Sequence, residues 1–255
     1  MIDIHSHILP GMDDGAAHEA DTLAMAKAAV DEGIKTIVAT PHHQNGTYTN
    51  EAPIVEGAVD QTNALLHHHG IPLTVIAGQE VRVYGELLED LKAGHLLTLH
   101  GSAYMLVEFP SNYIPRFASS LFYDLQLEGV TPIIAHPERN KVFMEKPSLL
   151  YRYIQNGALS QVTAASVTGH FGKKLQKFSL ELIDHNLAHF IASDAHNTTS
   201  RGFYMDKAYN VIEQKLGRAK EMQDHAEKLI HNQPVIGDAP NEIQAKGLLH
   251  KLFNR

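Results

Sequence analysis

The chain opens on Ile2-Asp3-Ile4-His5-Ser6-His7, an apolar run that ends in two histidines, with Asp13 and Asp14 close behind. Residues i and i+2 of a strand share a face, so His5 and His7 can offer two imidazoles to one cavity. Asp194 and His196 repeat that spacing at the end of a later apolar run. Four further runs end in a ligand-type side chain: His42 after Pro41, Glu80 after Gln79, Glu108 after Val107, and His136, followed by Glu138 and Arg139. One histidine after a strand is more often a capping or surface residue than a ligand. The weight here lies in the repetition of imidazole or carboxylate at equivalent places. Such a set, without thiolate, suits Mn, Fe or Zn in a hydrolytic site. Eight side chains (His5, His7, His42, Glu80, Glu108, His136, Asp194 and His196) exceed what one ion needs. They point to two or three ions, with a carboxylate such as Glu80 as a bridge.

These residues must be positioned by strands. Short apolar runs predict strands over 2–5, 36–39, 73–77, 104–109, 131–135, 159–162 and 189–193. Amphipathic stretches between them predict helices over 19–32, 51–69, 86–93, 115–128, 147–156, 173–186 and 204–231, the last broken near Gly217. Strand and helix alternate throughout, which is the pattern of a parallel sheet with crossover helices. Seven such units without a composition break predict an α/β fold, a closed or nearly closed (β/α)7 barrel; a doubly wound open sheet is the competing layout. Catalytic groups of such barrels sit at the C-terminal ends of the strands, where all eight residues fall. A single domain is expected over 1–237. Residues 238–255 read as a tail that frays, packs locally or docks as a short helix.

Composition narrows the function further. The 255 residues include 18 histidines and no cysteine. Lack of cysteine excludes disulfides, thiolate ligands and a cysteine nucleophile. The formal net charge of −8 argues against a broad electrostatic grip on nucleic acid, while a local basic pocket for phosphate stays open. No apolar run is long enough to span a membrane, and no signal peptide is read at the N-terminus, so a cytoplasmic location is expected. His18, His67 to His69, His95, His100, His170, His185, His189, His231 and His250 do not fall at strand ends and are read as structural or solvated.

The ordered motifs Asp-Ile-His-Ser-His, Ala-Thr-Pro-His-His, Gly-Gln-Glu, Ala-His-Pro-Glu-Arg and Ser-Asp-Ala-His, spread over residues 2–201, resemble the polymerase and histidinol phosphatase (PHP) superfamily. Within it, the stretches around Asp14, Glu80 to Glu86, Glu108 to Pro110 and 121–140 are similar to the bacterial manganese-dependent tyrosine-protein phosphatases of capsule and exopolysaccharide synthesis. Carboxylates at Asp14 and Glu108, where other superfamily members carry histidine, favour that subgroup over the histidinol-phosphate group. The resemblance implies a distorted (β/α)7 barrel and three metal positions. The first would be held by His5, His7, Glu80 and Asp194, the second by Glu80, Glu108 and His136, the third by Asp14, His42 and His196. Asp14 enters only through the resemblance, and Asp13 beside it is the competing choice.

The implied reaction is hydrolysis of phosphotyrosine by a metal-activated hydroxide, with Mn2+ as the expected ion and Fe, Zn or Mg as alternatives. Arg139 and Arg201 are the expected phosphate clamps. The implied substrate is a phosphotyrosyl protein, a bacterial tyrosine kinase with a tyrosine-rich tail, which would bring the enzyme near the membrane. Tyr48, Tyr84, Phe109, Tyr113 and Phe203 are candidates to flank the tyrosyl ring. A small-molecule phosphatase of the histidinol-phosphate type, a nuclease and a non-catalytic metal-binding module are the alternatives.

Overall fold

The structure is a computed structural model that describes residues 1–243. Its strands are β1 (Ile2–Ser6), β2 (Thr36–Ala39), β3 (His42–His43), β4 (Thr74–Ala77), β5 (Glu80–Arg82), β6 (Tyr104–Glu108), β7 (Thr131–Ala135), β8 (Leu159–Thr163) and β9 (Phe190–Ala192). The helices are α1 (Glu19–Asp31), α2 (Ala52–His68), α3 (Leu87–Lys92), α4 (Ala118–Leu127), α5 (Lys141–Glu145), α6 (Pro147–Gln155), α7 (Ala164–Val167), α8 (Lys173–Asp184), α9 (Met205–Leu216) and α10 (Ala219–Ile230). All pairings are parallel, as expected for an α/β fold. One sheet has the order β1-β2-β4 and the other β3-β5-β6-β7-β8-β9. The two sheets meet along the chain, because β3 follows β2 and β5 follows β4 after only two residues. Pro41, which has no N–H for a ladder, separates the first pair. Gly78 lies in the second break, where a Cβ would come within 2.7 Å of Val38 Cγ1.

The far ends also approach one another. Asp194 N donates to His5 O and His7 N to Ala195 O, both at 2.9 Å. Buried Asp3 braces this junction by accepting from Ser193 N and Ser193 Oγ. Burial outweighs those hydrogen bonds and raises the Asp3 carboxyl to about 6.

The apolar residues divide by strand face. Met105, Val107, Ile134 and Val162 pack outward with the helices in the larger core. Ile2, Ile4, Val38, Leu106, Ile133, Phe190 and Ala192 form a smaller inner cluster, to which α10 contributes Ala226 and Leu229. Beyond this inner plug, the inward positions at the C-terminal ends of the strands turn polar. The register of β1 against β2 shifts between Asp3 and Ser6. Such a bulge re-aims the side chains that follow it, here His5 and His7.

The break predicted near Gly217 in the 204–231 stretch separates two helices. Gly217, in the left-handed region at φ 67°, ends α9 before α10 begins. Helix α5 was not expected; Asn140 starts it by accepting from Val142 N and Phe143 N. The tail expectation falls partly outside the described residues. Its described part lies against the protein, where Asn186 donates to Ala239 O, Asn241 N donates to His185 O and Ile243 packs on the core.

Candidate metal centre

Each ligand-type side chain is delivered by a strand end or the loop just after it. The parallel register sets His42 beside Glu80 and Arg82 beside Glu108. His136 and Asp194 follow β7 and β9 with left-handed backbones, at φ 33° and 50°. Non-glycine residues rarely adopt that region, and it persists where surrounding structure enforces it.

His5, His7, Glu80 and Asp194 converge in full burial. His5 Nε2 lies 3.2 Å from His7 Nε2, 3.4 Å from Glu80 Oε2 and 3.4 Å from Asp194 Oδ1. His7 Nε2 lies 3.4 and 3.3 Å from the same two oxygens. Five of six edges of a tetrahedron are thus near-equal, and the sixth is under 4.8 Å. A point roughly 2.0–2.4 Å from all four atoms exists inside it, the bonding distance of a divalent ion to N and O ligands. Glu80 Oε2 and Asp194 Oδ1 are buried without a hydrogen bond. Buried polar oxygens are normally partnered, so these two fit a cation.

A second group joins His42, Glu80 and Glu108, and a third joins His7, Asp14, His42 and His196. His42 Nδ1 is 2.9 Å from Glu80 Oε2, and His42 Nε2 is 3.4 Å from Asp14 Oδ1. His196 Nε2 lies 3.3 Å from the same Asp14 oxygen. His136 Nε2 sits 2.7 Å from the other Glu80 oxygen. The four-residue first group has the membership the resemblance implies. The second differs in that His42 stands with Glu80 and Glu108 in place of His136, which meets Glu80 Oε1 instead, and the third in that His7 joins Asp14, His42 and His196.

Asp13 and Asp14 occupy different places. Asp13 is buried behind His7; its Oδ2 accepts from His7 Nδ1 at 2.6 Å and from His42 N at 3.0 Å, and its Oδ1 accepts from Gly15 N. Despite burial, His7 holds the Asp13 carboxyl down to about 2. Asp14 is half-exposed and faces His42, His196 and Arg201. His5 is oriented in turn by Gln161, whose Oε1 accepts from Nδ1 at 3.0 Å. With both Nδ1 atoms donating, both Nε2 lone pairs face the centre.

Burial would raise the carboxyls of Glu80 and Asp194, yet His5 and His42 hold Glu80 well below the usual range and Arg139 and His5 do the same to Asp194. The carboxylates push the imidazoles the other way. Burial opposes a proton on His42, but Glu80 and Asp14 raise it to about 10. A field that favours protons on buried imidazoles equally favours cations among them.

Both candidate arginines flank the cluster. Arg139 Nη1 and Arg201 Nη2 donate to Asp194 Oδ2, and Arg201 Nη1 reaches Asp14 Oδ2 at 3.4 Å. A third guanidinium, Arg82, lies 2.8 Å from Glu108 Oε2. Arg82, Gln161 and Asp3 escape the sequence reading, and Asp13, read there only as the alternative to Asp14, takes a supporting place behind His7. Arg82 did carry a signal, since it lies two residues after Glu80 on the same strand face.

The aromatic candidates separate. Phe109 and Phe203 are buried in the core, and Tyr84 Oη donates to Asp90. Tyr113 is exposed, and Tyr48 lies parallel to His42 with ring centres 6.4 Å apart. Phe171, not anticipated, carries Arg139 over its ring at 6.0 Å.

Comparison with known proteins places this geometry. The family model described as "Capsular polysaccharide synthesis, CpsB/CapC" matches residues 1–234. Tyrosine-protein phosphatase YwqE from Bacillus subtilis is 50% identical over 250 residues, covering 97% of this chain and 98% of the relative. Tyrosine-protein phosphatase CpsB from Streptococcus pneumoniae is 32% identical over 244 residues, covering 92% of this chain and all of the relative. A solved structure from work on those two proteins, described there as unique metal-dependent tyrosine phosphatases, superposes with a TM-score of 0.94 at 50% identity over 96% of this chain and 100% of its own. A lactonase from Listeria monocytogenes, at 14% identity and a TM-score of 0.53 over 92% of each chain, shares the fold alone.

Proposed function

The chain belongs to the CpsB/CapC family of capsular polysaccharide synthesis, and on that premise we propose that it is a metal-dependent protein-tyrosine phosphatase. The observation that carries the proposal is the buried convergence of His5, His7, Glu80 and Asp194, with two orphaned carboxylate oxygens at its centre and two arginines at its edge. We read His5, His7, Asp14, His42, Glu80, Glu108, His136, Asp194 and His196 as the ligands of two or three ions, a donor set that suits Mn, Fe or Zn, with Mn2+ taken from the resemblance to the manganese-dependent phosphatases. We read the two sheets as arcs of one distorted (β/α)7 barrel, a reading supported by the interrupted strands and the hydrogen bonds from Asp194 and His7 across the β1–β9 junction.

When bound, the ions supply Lewis-acid stabilisation of the phosphoryl group and lower the pKa of water. The protein's own groups do the positioning. Arg139 and Arg201 hold Asp194 with one N–H each and retain further donors for phosphate oxygens. Glu80 ties together side chains from β1, β3 and β7, so the groups around it cannot move independently. We read the Phe171 ring beneath Arg139 and the Tyr48 ring beside His42 as surfaces that favour an aryl ester. Cysteine is absent, so no phosphocysteine can form. The substrate is a phosphotyrosyl protein such as a bacterial tyrosine kinase. Among the described residues no helix is long and apolar enough to cross a membrane, in keeping with action at the cytoplasmic side of such a kinase.

The test is hydrolysis of a phosphotyrosyl peptide against histidinol phosphate with added Mn2+, by the natural protein, His136→Ala and Arg139→Ala. Peptide turnover that needs Mn2+ and falls in both variants is expected. Preference for histidinol phosphate, or equal rates in all three proteins, refutes the assignment.

A further inference from the structure

A cavity of about 640 Å³ lies away from the metal cluster. It lies between α4, α6 and the loop that precedes α4. Phe122, Tyr123, Leu149 and Tyr153 form its apolar wall, and Arg116 and Arg152 line it as well. The remaining lining groups are neutral, so no carboxylate lines the cavity. Neither arginine makes an ion pair among the described residues, although the chain carries a formal charge of −8. Two unpaired guanidiniums beside an aromatic wall form a site for a carboxylate borne on an apolar stem.

This cavity is tied to the metal centre. Ser111 lines a small cavity with Glu108, His136 and Arg139, and Ile114 and Arg116 on the same loop line the large one. Ile114 follows Ser111 by three positions, a span of at most roughly 11 Å. The loop is pinned at its near end, where Asn140 donates to Pro110 O and Lys141 N to Ser111 O. On the other side, Tyr153 packs on Phe122 and directly on Phe109, which follows Glu108. A polypeptide with its phosphotyrosine at the ions can therefore reach the cavity with a side chain a few residues away.

We infer that the α4–α6 cavity is a second substrate subsite, which binds an acidic side chain of the phosphotyrosyl polypeptide a few residues from the scissile phosphate. The inference rests on the reading of the metal centre as a phosphotyrosine site. Arg116 and Arg152 are both exposed, and reversing their charge leaves the core and the metal ligands intact.

The experiment compares the natural protein with Arg116→Glu/Arg152→Glu, saturated with Mn2+. The substrates are free phosphotyrosine, a phosphotyrosyl peptide with glutamates three to five residues to either side, and the same peptide with glutamine there. For the natural protein, the glutamate peptide is expected to show a KM roughly tenfold below that of the glutamine peptide. The double variant should lose that preference through KM, with kcat and free phosphotyrosine turnover unchanged. Equal KM for the two peptides on the natural protein, or a parallel fall on all substrates in the variant, overturns the subsite. A change in sedimentation of the variant without loss of glutamate preference assigns the cavity to a second copy of the chain and likewise overturns it. If the natural protein hydrolyses neither peptide nor free phosphotyrosine, the parent reading fails instead.

Discussion

Asp13→Asn probes whether the centre depends on a residue that touches no ion. Asp13 Oδ2 accepts from His7 Nδ1 at 2.6 Å and from His42 N at 3.0 Å, while Oδ1 accepts from Gly15 N at 2.9 Å. Asparagine fits the same space but offers one oxygen and one NH2. With the oxygen toward His7 and His42, the NH2 meets Gly15 N–H, donor against donor. With the amide flipped, His7 Nδ1 faces a donor and the ring is driven to the tautomer whose Nε2 carries the proton. Either way the charge-assisted bond to His7 is lost. Removing such an outer carboxylate costs roughly 10- to 100-fold in metal affinity, or about 1.4–2.7 kcal/mol.

Calorimetric titration of Mn2+ into metal-free protein should show that loss in the sites that share His7, and the activity curve against free Mn2+ should shift by the same factor. At saturating Mn2+, kcat should return to within a few-fold of the natural value, because every ligand is still present. Asp14→Asn should behave in the opposite way, with a defect in kcat that excess metal does not restore. An unchanged Mn2+ titration for Asp13→Asn would refute the argument from tautomer control.

Three further outcomes follow from the geometry. Arg139→Lys keeps a charge beside Asp194 but loses the planar fork, and kcat/KM for a phosphotyrosyl peptide should fall roughly 100-fold; steady-state kinetics at saturating Mn2+ check this. Gly15→Ala places a Cβ 2.1 Å from His7 O and 2.5 Å from His7 Cβ, so the loop under His7 must move. A loss of about 1–3 kcal/mol should lower Tm by several degrees and weaken Mn2+ binding, as read by thermal melts with and without metal. His189 is kept neutral in the fold, because burial, then His225 and Arg218, push its imidazole down to about 3, and its Nδ1 accepts from Ser160 N. The unfolded chain takes up that proton below pH about 6.5, so the contribution of His189 is full above 6.5 and is lost as pH falls toward 3. Between pH 6.5 and 5.0 this amounts to about 2 kcal/mol. His189→Asn, which keeps an acceptor toward Ser160, should flatten that part of the stability curve, as measured by denaturant titrations at pH 7 and 5.

How far the site can be read from sequence depends on whether a residue's role is set by strand period or by the path of a loop. Period and register act locally. Alternation from β1 pairs His5 with His7, and β3, β5, β6, β7 and β9 bring a carboxylate or imidazole to the same end because parallel strands share direction. His42 beside Glu80 is the same rule applied across the sheet. The groups that tune those side chains obey no such rule. Asp13 and Asp14 are adjacent and chemically alike; only the loop path sends one behind His7 and leaves the other at the rim. Gln161 meets His5 across 156 residues of sequence, and Asp3 meets Ser193 across 190. The short elements were missed for a related reason. Strands β3 and β5 have two and three residues, too few to show a period, and they are ordered by their neighbours rather than by their own composition. Period therefore accounts for which atoms come together, while long-range contacts decide how each is oriented. Asp13→Asn, which changes orientation and leaves every ligand in place, separates those two contributions in one measurement.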